Sequence, residues 1–134
     1  MFYLDTSVFI ALIEKRHPNH GYAVGFANTA LYSGEKLFIS THVLSEALLS
    51  EREYRRKYPR ISSYLVLIKT WPRSLELRAK AIARRRKIDY DDVLHVLIAK
   101  ENHIGIIASF DKDFKNVVEI ARLQYFNPRY YRRW

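Results

Sequence analysis

Three short apolar runs, separated by longer segments with helical spacing, constrain the fold of this 134-residue chain most strongly. Runs of this length are typical of buried strands in a parallel sheet, and parallel strands need helical connections. We therefore predict an α/β fold with a mainly parallel sheet, whose carboxyl ends form a ligand crevice. Each run leads to an acidic residue at that edge: residues 1–4 to Asp5, residues 37–40 to Glu46, and residues 104–109 to Asp111.

Length and composition predict a single domain over residues 1–134, because 49% apolar residues suffice for one core. No apolar stretch approaches the roughly 18 to 20 residues of a membrane span, and no basic leader opens the chain. We therefore expect a soluble, cytoplasmic protein. The chain has no cysteine, which excludes disulfides, iron–sulfur clusters and thiolate zinc sites. Any metal must bind oxygen or imidazole.

Apolar residues at helical spacing, together with prolines and capping residues, divide most of the remaining chain into predicted helices. These helices cover residues 7–15, 19–32, 41–58, 74–86 and 89–102. Ser74 is the expected N-cap of the fourth helix. Residues 61–69 fit either a helix or a strand, and we favour a helix followed by a short strand near Thr70. Residues 117–120 are predicted to add an edge strand.

Four acidic residues follow a predicted strand or lie in the first turns of a helix that starts at the same edge: Asp5, Glu46, Asp92 and Asp111. Neighbouring carboxylates repel one another, which raises some of their pKa values unless a cation neutralises them. Mg²⁺ and Mn²⁺ prefer oxygen ligands and support attack of water on phosphoryl groups. Each acid alone has another explanation, such as an N-cap for Asp5. Together they predict a divalent-cation site.

Basic residues outnumber acidic ones by 23 to 14, giving a net charge of +9, as in many proteins that bind polyanions. One cluster directly precedes the helix that carries Asp92, and it is our candidate for holding RNA phosphates: Arg84, Arg85, Arg86 and Lys87. A solvated surface is the alternative for these side chains. The tail, residues 127–134, is basic and aromatic, and we expect it to pack against its own domain or a second copy.

The five histidines include two spacings of interest. His42 lies four residues before Glu46, which can place both on one helical face, and His95 lies one turn after Asp92. No complete zinc motif is present. We interpret all five histidines as structural or surface residues. The position of His95 allows a hydrogen bond to an acid, but we favour a packed helix position.

Four segments in a characteristic order resemble the PIN domain family, and within it the VapC-type toxins. They are residues 4–9 (Leu-Asp-Thr-Ser-Val-Phe), Ser40-Thr41 with Glu46, residues 92–96 (Asp-Val-Leu-His-Val) and residues 108–114 (Ala-Ser-Phe-Asp-Lys-Asp-Phe). The resemblance covers nearly the whole chain. It implies a three-layer α/β/α sandwich and an endoribonuclease that depends on Mg²⁺ or Mn²⁺.

The resemblance also implies which residues act. The catalytic and metal-binding acids of the family fall on Asp5, Glu46, Asp92 and Asp111, and supporting positions fall on Thr6, Ser109, Asp113 and Asp91. The resemblance does not decide whether the third acid is Asp91 or Asp92, because these two residues are adjacent. We prefer Asp92 because a Val-Leu-His sequence follows it, similar to the Asp-Ala-Leu-His of the family. Val93, Leu97 and Ile98 depart from the small residues that the family often has there.

Partners follow from the same resemblance. It implies a homodimer that is the toxin of a VapBC-type pair, with RNA as substrate and a small VapB-like antitoxin whose tail enters the acidic crevice. Two alternatives stay open: a catalytically silent RNA-binding or assembly module, and a PIN nuclease of RNA processing that has no antitoxin. A silent module is expected to lack one or more of the four acids, and none is missing here.

Overall fold

The computed structural model describes residues 1–130, and this part of the chain forms a five-stranded parallel sheet. The strands are β1 (Phe2–Leu4), β2 (Leu37–Ser40), β3 (Leu65–Ile68), β4 (Ile106–Ala108) and β5 (Gln124–Phe126). Their order across the sheet is β3-β2-β1-β4-β5. The predicted three-layer α/β/α fold with a parallel sheet is confirmed.

Helices connect the strands and form the two outer layers. They are α1 (Thr6–Ile13), α2 (His20–Tyr32), α3 (Thr41–Glu46), α4 (Glu51–Lys57), α5 (Pro59–Tyr64), α6 (Arg73–Arg86), α7 (Tyr90–Glu101) and α8 (Phe114–Val118). Short 3₁₀ turns cover Glu119–Ala121 and Pro128–Tyr130. Within residues 1–130, none of these helices is both long and apolar enough to cross a bilayer.

The strand order explains how the helices divide between the two faces. From β1 the chain moves outward to β2 and β3, then returns past β1 to β4 and continues to β5. Right-handed crossovers therefore place α1 to α5 on one face and α6 to α8 on the other. Accordingly α1 packs against α2 and α3, whereas α7 packs against α6 and α8.

The central strand β1 lies at the switch point of this topology, with β2 on one side and β4 on the other. Tyr3 and Leu4 are fully buried because helices cover both faces. In open α/β sheets, the crevice beyond the carboxyl ends of the strands at such a point is the usual ligand site. Asp5 directly follows β1, and Ser109 directly follows β4.

The predicted edge strand at 117–120 is wrong, because these residues are helical in α8 and the following 3₁₀ turn. Phe114, Val117, Val118 and Ala121 are all buried and are spaced three or four residues apart. This is the spacing of one helical face, which packs against α7. The edge strand lies a few residues later, at β5.

Residues 59–69 form a helix followed by a strand, as favoured, but both occur earlier than expected. Pro59 begins α5 as its first residue, a position where the missing N–H of proline costs no hydrogen bond. The strand β3 therefore covers Leu65–Ile68 and ends before Thr70.

Two helix boundaries also differ from the prediction. The long third helix is broken into α3 and α4 at Leu48, whose φ of 59° is left-handed. Ser50 then starts α4 through a capping box with Glu53. Ser74 does not cap α6, because this helix begins at Arg73 with Pro72 at the capping position.

Candidate active site

Asp5 is a buried carboxylate at the carboxyl end of β1, with 4% of its surface exposed. Its Oδ1 accepts hydrogen bonds from Ser7 Oγ (2.7 Å) and from the backbone N–H of Val8 (3.1 Å), so Asp5 does cap α1. Its Oδ2 accepts a hydrogen bond from Ser109 Oγ (2.6 Å). Burial raises the pKa of Asp5, and these donors act against the rise. The carboxylate is therefore fixed in orientation.

Ser109 links Asp5 to the loop that carries Asp111. While its hydroxyl donates to Asp5, it accepts the backbone N–H of Asp111 at 3.0 Å. Asp111 Oδ1 in turn accepts the backbone N–H of Asp113 at 2.9 Å. Asp111 and Asp113 are exposed residues, whereas Ser109 is fully buried. Ser109 thus connects a buried acid to an accessible one.

Asp92 lies in the first turn of α7 and is partly buried. Burial and the negative charge of Asp89 raise its pKa to about 7, and Asp5 and Asp111 add to the rise, against the opposing effect of His95. The charges of Asp5 and Asp111 act on Asp92 from the carboxyl ends of β1 and β4, so the three acids belong to the same edge of the sheet. Their mutual repulsion is what a bound divalent cation would relieve.

Glu46, at the end of α3, lies among different partners. Its Oε1 accepts hydrogen bonds from Thr6 Oγ1 (2.5 Å) and from His95 Nε2 (2.5 Å), and it lies 3.8 Å from His42 Nε2. Burial acts to raise its pKa, but the hydrogen bond and charge of His95, with help from Thr6, outweigh burial and lower it. Glu46 is therefore held as a carboxylate.

His95 is buried at the centre of a hydrogen-bond chain. It is 1% exposed, and its Nδ1 shares a hydrogen bond of 2.7 Å with the Tyr3 hydroxyl, which also bonds Ser40 Oγ at 2.7 Å. Burial raises the pKa of Tyr3, so its hydroxyl stays protonated. His95 thus occupies a packed position, as favoured, and also binds an acid. The signal in the sequence was its position three residues after Asp92.

Asp91 and Asp92 have different surroundings despite being neighbours. Asp91 Oδ1 lies 3.0 Å from His42 Nε2, and its side chain is 45% exposed. Asp92 instead interacts electrostatically with Asp5 and Asp111. Burial and the charge of His95 lower the pKa of His42, against the raising effect of the nearby carboxylates.

The candidate phosphate-binding cluster forms the exposed end of α6: Arg84, Arg85, Arg86 and Lys87. Lys87 ends the helix in the left-handed conformation with a φ of 56°. Because α6 packs along α7, the helix that carries Asp92, this basic surface belongs to the same layer of the fold as that acid. The final residues of the predicted tail, 131–134, lie outside the described residues.

Comparisons with known proteins identify the family of this fold. A family model described as the PIN domain matches residues 2–120. The chain belongs to the PIN domain family. It is also similar in structure to VapC20 of Mycobacterium tuberculosis, which is described as a sarcin-ricin loop cleaving toxin. The TM-score is 0.64 at 23% identity, over 87% of this chain and 94% of the other. No curated protein matches the sequence.

In this PIN domain, the four acids singled out from the sequence fall into two groups. The charges of Asp5 and Asp111, which follow β1 and β4, act on Asp92 and form one group with it. Glu46 lies with Thr6, His42 and His95. His95 connects the groups, because its charge acts on Asp5 and Asp92 while its Nε2 binds Glu46.

Proposed function

We propose that this PIN domain protein is an endoribonuclease that hydrolyses phosphodiester bonds in RNA with the help of Mg²⁺ or Mn²⁺. The observation that carries the proposal is the buried Asp5 carboxylate at the end of β1, which Ser109 connects to the loop of Asp111, while the charges of both acids act on Asp92. A folded protein gains no stability from packing repelling carboxylates into a crevice, so the arrangement favours a role in function.

The donor set suits a hard divalent cation. Asp5, Asp92 and Asp111 offer only oxygen ligands, and Asp111 is exposed, which leaves room for water and substrate. We assign these three acids and Glu46 as the residues that would hold the ion. When bound, such an ion neutralises a phosphoryl oxygen and makes water a better nucleophile near neutral pH.

The protein's own contribution is to fix the acids before substrate arrives. Ser7 and Ser109 fix the two oxygens of Asp5, and Thr6 and His95 fix Glu46. Such outer partners commonly change metal affinity 10- to 100-fold. We assign Asp113 a lesser role, since its N–H orients Asp111. We assign Asp91, which faces His42, no direct part in holding the ion.

RNA has to approach an acidic crevice that by itself repels phosphate. The net charge of +9 and the exposed cluster at the end of α6 offset this repulsion. We therefore assign Arg84, Arg85, Arg86 and Lys87 to the RNA backbone. Binding of this kind carries little sequence information and weakens steeply with salt.

A toxin role is the finer part of the proposal, and the similarity to VapC20 supports it. On this view the protein is a cytoplasmic homodimer that a small VapB-like antitoxin inhibits. Co-expression with the product of a neighbouring small gene should yield a stable, inactive complex. Growth unaffected by expression of the isolated active enzyme would contradict the toxin role.

The nuclease is tested with purified protein, an unstructured and a structured RNA, and Mg²⁺, Mn²⁺ or chelator. We expect cleavage with either ion, none in chelator, and none for Asp5→Asn or Asp92→Asn. Asp91→Asn is the matched control, because it removes the neighbouring carboxylate and should keep most of the activity. Circular dichroism should show that each variant is folded.

The outcomes separate the alternatives. Cleavage that persists in chelator, or in Asp5→Asn and Asp92→Asn, would refute hydrolysis by these acids. RNA binding without cleavage by the wild-type protein would favour the silent RNA-binding module instead. Cleavage by a protein that has no antitoxin would favour an RNA-processing nuclease.

A further inference from the structure

Two imidazoles and one carboxylate converge beside the acidic crevice. The ligand atoms of His42, Glu46 and His95 all lie within 4.8 Å of one another. Glu46 Oε1 is 2.5 Å from His95 Nε2 and 3.8 Å from His42 Nε2. The three side chains come from two elements, since His42 and Glu46 are one turn apart on α3 and His95 is on α7.

The nitrogen that completes this group lacks a well-aligned hydrogen bond. His42 Nε2 is buried within residues 1–130, and its contact with Asp91 Oδ1 at 3.0 Å is an ion pair rather than a well-aligned hydrogen bond. A buried polar atom without a hydrogen bond costs free energy, and such atoms in native proteins call for an explanation. A ligand that bonds to this nitrogen would remove the cost.

The chemistry of the three donors selects a borderline transition ion over Mg²⁺. Imidazole is a common ligand of Zn²⁺, whereas Mg²⁺ prefers oxygen and retains water. In a tetrahedral zinc site with bonds of 2.0–2.1 Å, neighbouring donor atoms lie roughly 3.3 Å apart. The separations of 2.5 and 3.8 Å from Glu46 lie on either side of this value, and the two imidazoles lie within 4.8 Å of one another. Glu46 can adjust, because its side chain is 29% exposed.

The hydrogen-bond chain behind His95 suits a metal ligand as well. Without an ion, Nε2–H donates to Glu46, and Nδ1 accepts from the Tyr3 hydroxyl. A metal on Nε2 requires the proton on Nδ1 instead. The hydroxyls of Tyr3 and Ser40 can reverse their bonds, so that Nδ1–H donates to Tyr3 and Tyr3 donates to Ser40. Such support of the second ring nitrogen is usual for zinc-bound histidines.

We propose that His42, Glu46 and His95 form a binding site for Zn²⁺ or a similar transition ion, with a fourth position for water or Asp91. Glu46 is shared between this site and the catalytic acids. Zinc therefore withdraws Glu46 from the magnesium site and inhibits the enzyme. The inhibitory part rests on the proposed nuclease function, whereas the binding part does not.

Binding is measured first, by titrating Zn²⁺ into the full-length protein in excess Mg²⁺ and following the heat. We expect one zinc ion per chain. Loss of an outer partner costs 10- to 100-fold in affinity, so loss of a ligand in His42→Gln should weaken binding at least about 100-fold. His103→Asn is the matched control, because His103 is exposed and its backbone is in the left-handed conformation, which asparagine tolerates. This variant should bind zinc like the wild type.

X-ray absorption at the zinc edge identifies the ligands directly. Two imidazoles and oxygen ligands are expected in the wild type, and one imidazole fewer in His42→Gln. Wild-type affinity in His42→Gln, an all-oxygen spectrum, or no zinc binding would overturn the site. His42→Gln is preferred to a His95 variant, because His95 is deeply buried and its replacement endangers the fold.

Inhibition is measured separately as RNA cleavage at fixed Mg²⁺ with increasing Zn²⁺, each protein's own zinc-free rate being its reference. The zinc concentration for half inhibition should rise at least tenfold in His42→Gln and stay unchanged in His103→Asn. Equal inhibition of all three proteins, or activation by zinc, would overturn the competition for Glu46. A protein that never cleaves RNA would refute the proposed function, while the binding measurement would still decide the zinc site.

Discussion

Replacing Asp92 with asparagine should stabilise the metal-free protein while it abolishes activity. Burial and neighbouring acids raise the pKa of Asp92 from 3.8 to about 7. Between pH 4 and 7 the unfolded chain therefore releases a proton that the folded protein retains. Stability must fall as pH rises through this window and stay low above pH 7. Asparagine resembles the protonated acid and carries no charge, so the stability of the variant does not fall with pH in this way.

The size of the effect follows from the shift. About three pKa units at 1.36 kcal/mol each give an upper limit of about 4 kcal/mol. Asp92 is only partly buried, and solvent screening reduces this limit to roughly 1–2 kcal/mol. For a protein of this size, that corresponds to a rise in Tm of about 3–8 °C at pH 8. Saturating Mg²⁺ should make the wild type more stable than Asp92→Asn, since ion at 100 times its Kd stabilises the wild type alone by about 2.7 kcal/mol.

The assay is thermal denaturation followed by circular dichroism, in chelator and in Mg²⁺, from pH 4 to pH 8. The difference in Tm between Asp92→Asn and the wild type in chelator should be largest at pH 8 and disappear near pH 4. Asp91→Asn is the control, because Asp91 faces His42 and its removal relieves no repulsion in the crevice. A Tm of Asp92→Asn at or below that of the wild type at pH 8, or an equal rise in Tm for Asp91→Asn, would show that the charge of Asp92 does not lower stability.

Three further predictions concern the surroundings of the acids. Tyr3→Phe should lower the free energy of unfolding in urea by about 1–3 kcal/mol, because the buried side chains of Ser40 and His95 each lose a hydrogen bond. An unchanged urea midpoint would contradict this. Ser109→Ala should keep the fold but weaken Mg²⁺ binding about tenfold by calorimetry, since it frees one oxygen of Asp5, and unaltered affinity would argue against that role. Replacing Arg84, Arg85 and Arg86 with glutamine should reduce the slope of the logarithm of the RNA-binding constant against the logarithm of salt concentration by about 2. An unchanged slope would show that RNA binds at another surface.

The sheet edge could be predicted from the sequence because its signals are local. Residues 1–4 and 104–109 are short apolar runs in a chain whose other segments have helical spacing, which indicates neighbouring parallel strands. The carboxyl ends of parallel strands meet at one edge, so Asp5 and Asp111 could be expected there. The structure brings both into electrostatic contact with Asp92.

The short edge elements could not be predicted in the same way. β5 has three residues, of which Gln124 is exposed, so its pairing with β4 is decided by tertiary contacts rather than by its sequence. The adjacent valines Val117 and Val118 have strong strand propensity. Their burial against α7 instead follows the helical spacing of the whole segment.

The surroundings of Glu46 depend on how two helices are rotated about their axes, which sequence spacing does not determine. α3 turns His42 and Glu46 towards α7, and α7 turns His95 towards both α3 and the centre of the sheet. The sequence therefore allows a hydrogen bond from His95 to an acid but does not identify Glu46 as that acid. The position of His42 four residues before Glu46 was the available signal.

The most direct test of the central claim is the location of Mn²⁺ in crystals of the protein soaked with the ion. The anomalous signal of manganese should give a peak in the crevice beside β1, with carboxylate oxygens of Asp5 and Asp92 within about 2.5 Å. A clear structure at saturating Mn²⁺ with no peak there, or with a peak only at another surface, would contradict the assignment of these acids as the ion-binding site.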